Sequence, residues 1–243
     1  PSYGNAEERL GPALEPYRRD VFLACKTNVR EADGAEHEFR QSQRRLRTDH
    51  IDLYQLHGIE TEDDVDRILA HGGALEVLTR LRDAGDVRFL GFSAHNEDAA
   101  LRLLDAYDFD SVLFPVNWRV WNAGGVGPRM VDRARSKGAA VLALKALADR
   151  RRHEGEPAVY PKAWYRPLSE PRDIETALRF TLSRPVTAAV SPGHEELLWA
   201  ACDAADAFSP LSDDEERELR ARAVSTATGT AEVPLFSRSI TEI

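Results

Sequence analysis

Six short apolar runs in this sequence each stop at a side chain able to donate, accept or carry charge: Lys26, His57, Ser93, Asn117, Lys145 and Ser191. His95 follows Ser93 by two positions, and Tyr3 stands ahead of them all, directly before Gly4 and a helix opening at Asn5. Taken singly, each has a plain structural reading. A lysine after a strand is commonly a solvated surface group, and a lone histidine is commonly a hydrogen-bonding scaffold residue. Their recurrence at six strand ends points to a site, because folds of repeated βα units collect their chemistry at the C-terminal ends of the strands. The residue types suit proton transfer and stabilisation of charge. A metal-dependent hydrolase using His57 and His95 is a weaker reading, since the strand ends carry neither an HxH pair nor a bridging carboxylate.

The elements that must position these groups follow from periodicity. Val21–Cys25, Ile51–Leu56, Arg88–Phe92, Ser111–Val116, Ala139–Leu144 and Thr187–Val190 are short apolar segments that read as buried strands. Helical patterns lie between them. Ala35, Phe39, Ser42 and Leu46 share one face, as do Leu75, Leu78 and Leu81 before Gly85, and Leu101 with Leu104. Pro128 opens a helix that Gly138 stops, and Pro171 opens another closed by Pro185. Ser212-Asp-Asp-Glu215 is a capping box with an acidic first turn, so a last helix is expected near 212–223. Six strands, each followed by a helix and joined by short connections, predict an α/β fold with a parallel sheet, in one domain over 1–243. A doubly wound sheet and a barrel both satisfy that pattern. The phosphate fingerprint GxGxxG that favours the first is missing; Gly124-Gly125-Val126-Gly127 comes nearest and reads as a βα loop.

Composition narrows the class. The 243 residues suffice for a sizeable core. With 41 acidic against 32 basic side chains and a net charge of −9, the chain lacks the basic excess that nucleic acid or an anionic membrane demands. Neither partner is expected. No apolar run approaches the ~18 residues of a membrane span, and no secretory signal is visible. Cys25 and Cys202 form no metal-type cluster and read as buried free thiols in a reducing compartment, which suggests the cytoplasm.

Several segments together resemble the aldo-keto reductase family of NAD(P)H-dependent (β/α)8 barrels. They are Tyr3-Gly-Asn-Ala-Glu-Glu-Arg-Leu-Gly11, Val21-Phe-Leu-Ala-Cys-Lys-Thr27, Ser42-Gln-Arg-Arg-Leu-Arg-Thr-Asp-His-Ile-Asp-Leu-Tyr-Gln-Leu-His-Gly58, Gly73-Ala-Leu-Glu-Val-Leu78 and Gly85-Asp-Val-Arg-Phe-Leu-Gly-Phe-Ser93. The likeness covers nearly the whole chain and is strongest before residue 120. It implies a TIM (β/α)8 barrel whose first two strands and intervening helix are absent from this chain. It also implies reduction of an aldehyde or ketone to an alcohol by hydride transfer.

By motif, Tyr3 matches the family's catalytic tyrosine, Lys26 its lysine and His57 its histidine. The family's aspartate normally precedes the tyrosine and falls ahead of Pro1. Hydride delivery to a carbonyl carbon develops negative charge on the oxygen, which needs a proton or strong donors. A phenol of ordinary acidity, with a pKa of about 10, is a poor acid at neutral pH. A neighbouring ammonium from Lys26 favours the phenolate and makes it a better one. A neutral His57 is expected to hydrogen-bond and orient the substrate oxygen, and the aspartate to fix Lys26.

For the cofactor, the resemblance implies Ser93 and Asn117 at the nicotinamide carboxamide, with Trp118 a possible wall against the ring. The Asn usual beside the serine is Ala94 here, followed by His95, and the tyrosine that many members stack on the nicotinamide is replaced by Leu144. Lys145 is placed to reach the pyrophosphate, and Ser191 and Gly193 to meet a phosphate at a helix N-terminus. The segment Ser191-Pro-Gly-His-Glu-Glu196 carries no Lys or Arg and two acids, so NADH is expected to bind at least as well as NADPH. Asp149-Arg-Arg-Arg-His153 reads as a solvated loop, and Trp164-Tyr165 either lines a pocket or caps the fold. The alternative function is a cofactor-binding barrel with little catalysis. The partner expected is a small carbonyl substrate; its identity and the oligomeric state are not written in these residues.

Overall fold

The computed structural model describes residues 2–227, which divide into two compact units, one running to Val112 and including Ser136–Ala139, the other formed by Leu113–Arg135 and the residues from Ala140 onward. Strands alternate with helices along most of the chain. The six-stranded sheet has the order β1-β2-β3-β4-β5-β8, with β1 at Ala24–Thr27, β2 at Ile51–Ile59, β3 at Val87–Ala94, β4 at Ser111–Pro115, β5 at Ala140–Leu144 and β8 at Ala188–Ala189. This is the α/β alternation with a parallel sheet that the sequence predicts.

In the first unit, β1 and β2 pair in parallel with Lys26 opposite Gln55, and β2 and β3 pair with Ile51 opposite Val87 and Leu56 opposite Phe92. Helix α1 (Ala6–Leu14) precedes β1, α2 (Ala32–Leu46) connects β1 to β2, α3 (Glu62–Leu69) and α4 (Ala74–Asp83) connect β2 to β3, and α5 (Glu97–Ala106) follows β3. The apolar stripe of α2 is the one its spacing predicts: Ala35, Phe39, Ser42 and Leu46 are all buried. Phe39 meets Tyr54 of β2 edge-on at 5.0 Å. Burial of a Phe-sized side chain contributes about 1.5–3 kcal/mol, so this contact is a main tie between α2 and the sheet. Helix α1 lies against α2 at Gly11, where a Cβ would stand 2.1 Å from the Arg45 carbonyl oxygen. Only glycine permits that approach.

In the second unit, α6 (Trp118–Gly124) and α7 (Pro128–Ser136) lead to β5, and β5 pairs in parallel with β8 through Leu142–Ala188 and Ala143–Ala189. Helix α8 (Pro171–Leu182) precedes β8, and α9 (Glu195–Asp206) and α10 (Asp213–Ala227) follow it. A core of Trp118, Leu147, Leu168, Ile174, Leu178, Phe180, Leu197 and Leu219 binds these helices. Arg179 of α8 grips Glu215 of α10 with two nitrogens at 2.7 and 3.1 Å. Those hydrogen bonds, with that from the Ser212 backbone, hold the Glu215 carboxyl at about 2.

Several expectations need correction. The first strand begins and ends later than its apolar run, because Lys26 and Thr27 join the ladder with β2 although neither is apolar. The second runs on through His57 and Gly58 to Ile59. The rule of six strands each followed by one helix also fails. Ala148–Arg151 forms β6 and Tyr165–Pro167 forms β7, an antiparallel pair with Arg150 opposite Arg166. The charged run is therefore in a ladder through Arg151, and only Arg152 and His153 lie beyond it. Arg150 is held by Glu156 with two nitrogens at 2.8 and 2.9 Å, and Arg119 pairs with Asp149 at 2.9 Å, so Asp149 and Arg150 are both paired within the fold. The capping box at Ser212 forms, with Ser212 N–H donating to Glu215 at 2.8 Å, and its helix extends to Ala227.

Candidate active site

Tyr3, Lys26 and His57 come together in the first unit although they stand far apart in the chain. Each is delivered by a different device. Lys26 is carried by β1, whose neighbours Cys25 and Thr27 point into the core and are buried. His57 sits at an irregularity: the β2–β3 register shifts between Leu56 and Ile59, where Gly58 adopts φ +63°. A strand bulge of this kind turns a side chain away from the pleat. The bulge is pinned at both ends of the glycine. Gly58 N–H donates to Ser93 Oγ at 2.8 Å, and Arg30, itself paired with Asp64 at 2.8 Å, donates to the Gly58 carbonyl at 3.1 Å.

Tyr3 is held through the helix that follows it. Glu7, in the first turn of α1, accepts from Ser42 Oγ at 2.6 Å, from Arg45 at 3.2 Å and from the Cys25 thiol at 3.4 Å. Burial opposes charge on Glu7, but the donors from Ser42, Arg45 and Cys25 outweigh it and keep the carboxyl below its ordinary range. Burial also pushes the Cys25 thiol up, with the neighbouring Glu7 charge adding to the effect. Cys25 is therefore a poor nucleophile and a packing residue.

With these anchors set, the Tyr3 hydroxyl lies 3.4 Å from His57 Nε2, and the two rings are 5.7 Å apart at 34°. The Lys26 ammonium lies over the Tyr3 ring, 5.3 Å from its centre. A cavity of about 130 Å³ is lined by all three, together with Glu7, Leu10, Leu23 and Leu46. Tyr3 is 60% exposed, so its phenol is open to solvent and to an incoming molecule. A proton donor, a cation and an imidazole on one face have the composition needed to protonate an oxygen that is gaining negative charge.

The remaining expected residues occupy different settings. Ser93 is buried on β3, where its oxygen serves the bulge. In the second unit Asn117 is fully buried as the N-cap of α6. Its Oδ1 accepts from Arg119 N–H at 2.9 Å, and its Nδ2 donates to the carbonyls of Lys145 and Ala148 at 3.0 and 2.8 Å. Both amide hydrogens are thus directed at main chain. Lys145 has φ +62°, rare for a side chain with a Cβ, and its ammonium sits 4.3 Å above the Trp164 ring. Ser191 and Gly193 are exposed ahead of α9, and a Cβ on Gly193 would meet nothing within 4 Å. His194, the N-cap of α9, accepts from Lys162 N–H at 3.1 Å, while the Lys162 ammonium donates to the Gly193 carbonyl at 3.3 Å. The segment 191–196 has no Lys or Arg of its own, but the fold brings Lys162 to it.

Sequence reasoning also missed the residues around His57. Asn28 Oδ1 lies 2.7 Å from His57 Nδ1, Ser2 Oγ lies 3.3 Å from the same nitrogen, and Asn28 Nδ2 donates to Ser2 Oγ. One signal was available: a glycine directly after the histidine of a strand is the mark of a bulge. Among the described residues no group of three or more His, Cys, Asp or Glu is arranged to hold a metal ion, and no helix is long and apolar enough to cross a membrane.

Residues 1–158, more than half of the chain, match the Aldo/keto reductase family. The chain belongs to that family. The uncharacterized oxidoreductase YqkF of Bacillus subtilis is 35% identical over 103 residues, which span 37% of this chain and 32% of that protein. The chain thus matches about a third of that relative's length. Among solved structures, the holo form of aldo-keto reductase AKR11C1 from Bacillus halodurans superposes with a TM-score of 0.63 at 24% identity, covering 89% of this chain and 77% of that one. The aldo-keto reductase AKR2E4 of Bombyx mori, solved in complex with NADP, gives a TM-score of 0.61 at 18% identity over 88% of this chain and 74% of its own. At these identities the two structures establish a shared aldo-keto reductase fold.

Proposed function

We propose that this aldo-keto reductase family chain reduces an aldehyde or ketone to an alcohol, with Tyr3 as the general acid and a reduced nicotinamide dinucleotide as the hydride source. The observation that carries the reading is the convergence of the Tyr3 hydroxyl, the His57 imidazole at 3.4 Å and the Lys26 ammonium around one cavity.

The bound nicotinamide would supply a hydride to the carbonyl carbon. The chain's own residues handle the charge that results. As the carbonyl oxygen becomes alkoxide-like, the Tyr3 phenol gives it a proton, and the residual charge on the phenolic oxygen is stabilised by Lys26. His57 orients the partners from the other side of the hydroxyl. Because the Tyr3 ring is anchored through Glu7 to α2 and His57 through the Gly58 bulge to β3, the pair is positioned before substrate arrives, which lowers the entropy lost on reaction.

The residues fit a dinucleotide. No side chain caps the N-terminus of α9, and the open space at Gly193 lets a phosphate approach backbone N–H groups there. In the second unit Ser191 and Gly193 would hold that end, Lys145 a phosphate oxygen and Asn117 the carboxamide. For Asn117 this leaves the second lone pair of Oδ1, since its hydrogens are engaged. Binding of NADP by the Bombyx mori relative supports a nicotinamide nucleotide here.

The decisive assay is oxidation of NADPH and NADH against a panel of aldehydes and ketones, with Tyr3→Phe beside the parent protein. Turnover in the parent, lost in Tyr3→Phe while nucleotide affinity is kept, is the expected result. Tight nucleotide binding with no turnover on any carbonyl would reject the reductase and favour a cofactor-binding barrel.

A further inference from the structure

We infer that Arg30 is a positioning residue of the reaction: by holding the Gly58 carbonyl it fixes the main chain directly after His57, and with it the aim of the imidazole. The inference rests on the reading above in taking His57 as one of the reacting groups, but the placement of the ring can be measured without turnover.

The bulge that carries His57 disturbs the ladder. The β2–β3 register shifts between Leu56 and Ile59, and a bulged residue is left out of strand pairing. At Gly58 two side chains take the ladder's place. Ser93 Oγ accepts from the Gly58 N–H at 2.8 Å, and Arg30 Nη2 donates to the Gly58 carbonyl at 3.1 Å. The N–H belongs to the peptide plane before the glycine and the carbonyl to the plane after it. A glycine at φ +63° has wide conformational freedom, so both planes need a partner to be fixed. Ser93 holds the first and Arg30 the second.

Arg30 has the anchorage of a strut. It is buried, four residues after Lys26, and its main-chain carbonyl accepts from Ala74 N–H at 2.8 Å at the start of α4. Its Nε donates to Asp64 Oδ1 at 2.8 Å. Asp64 is itself held in the first turn of α3. Its Oδ2 accepts from the Glu60 and Thr61 N–H groups at 3.1 and 3.0 Å and from Thr61 Oγ1 at 3.0 Å. One rigid fork thus spans α3 and the bulge, a geometry that the single ammonium of a lysine does not reproduce. The remaining nitrogen, Nη1, is buried with no hydrogen-bond partner among the described residues. A buried guanidinium paired this incompletely is a poor source of net stability, since apolar groups commonly replace such pairs at little cost. What Arg30 secures is the geometry beside His57.

The test is Arg30→Lys, with Arg30→Met beside it. Lysine keeps a positive charge for Asp64 but cannot serve Asp64 and the Gly58 carbonyl together. Both variants should lose about 10- to 100-fold in kcat, with KM and nucleotide affinity within about twofold of the parent. Stability should fall in Arg30→Met, which strands the Asp64 charge, and stay near the parent in Arg30→Lys, so that activity and stability separate. The His57 ring signals in carbon–proton NMR, assigned by their loss in His57→Gln, should shift or broaden in both variants with no substrate present. Ring signals unmoved in Arg30→Lys would overturn the proposal, as would moved signals with an unchanged kcat, or a kcat that falls only in step with stability. A parent protein that turns over no carbonyl, while Arg30→Lys still moves its ring signals, would reject the reductase reading and leave the placement of His57 by Arg30 intact.

Discussion

The two units treat the same kinds of residue in opposite ways. In the first, Tyr3, Lys26 and His57 direct their polar atoms toward one another and line a cavity, while other side chains hold them: Glu7, Ser42, Asn28, Ser93 and Arg30. In the second, the residues of matching chemistry are tied to their own chain. Asn117 gives both amide hydrogens to carbonyls, the ammonium of Lys145 rests on Trp164, and the Nε2 of His194 receives a main-chain N–H. The contrast between His57 and His194 makes the lesson plain. His57, near the end of β2, meets side chains at a cavity, whereas His194, between β8 and α9, is buried as a cap. A polar residue type becomes a candidate for chemistry when neighbouring side chains orient it at a cavity.

The sharpest way to break this comparison is Tyr3→Phe. Removing a positioned general acid should cost about 10²–10⁴-fold in kcat/KM. Because the hydroxyl is on an exposed ring, midpoint stability should move by no more than about 0.5 kcal/mol. Equal losses of stability and activity would mean that Tyr3 is a structural residue like those of the second unit. Asn117→Ala should behave in the reverse manner. It strands two carbonyls and removes a helix cap, which should destabilise the protein by about 2–4 kcal/mol in urea denaturation. A fully stable Asn117→Ala that loses only nucleotide affinity would place Asn117 with the first group.

Glu7→Gln probes the scaffold beneath Tyr3 and should cost about 1–2 kcal/mol at neutral pH. Here the sign follows from a lowered folded-state value. The stabilisation by charged Glu7 is complete above its unfolded value near 4.5 and is lost as pH falls through the lower folded value. The gap between the parent and Glu7→Gln should therefore be open at pH 7 and narrow progressively below pH 4.5. A gap independent of pH would show that the carboxylate charge is not what holds α1.

The smallest effect concerns the nucleotide. Glu195 and Glu196 lie exposed in the first turn of α9 and would oppose a 2′-phosphate bound there, while Lys162 nearby would offset part of that repulsion. NADPH should bind no more tightly than NADH. Neutralising both acids to Gln should shift the ratio toward NADPH by about 2- to 5-fold, and Lys162→Ala should shift it the other way. Titrations with NADPH severalfold tighter than NADH in the parent protein would refute this.

Much of the framework is legible in the chain alone. The burial of Ala35, Phe39, Ser42 and Leu46 follows from helical periodicity, and the alternation of apolar strands with amphipathic helices predicts the parallel α/β fold. Family membership is carried by contiguous motifs around Lys26, His57 and Ser93. These features are local: a few residues along one segment determine which face is apolar and which group ends a strand. The pairing of β6 with β7, the meeting of Asn28 with His57, the capture of the Gly58 bulge by Ser93 and the approach of Lys162 to Gly193 were decided only in three dimensions. Each depends on a hydrogen bond or strand register between segments separated in sequence, and the partner of a polar group is chosen by whichever donor or acceptor the fold brings within about 3 Å. The chain by itself determined which chemical groups are present and on which strands. Tertiary structure decided which of them are engaged by the scaffold and which line a cavity.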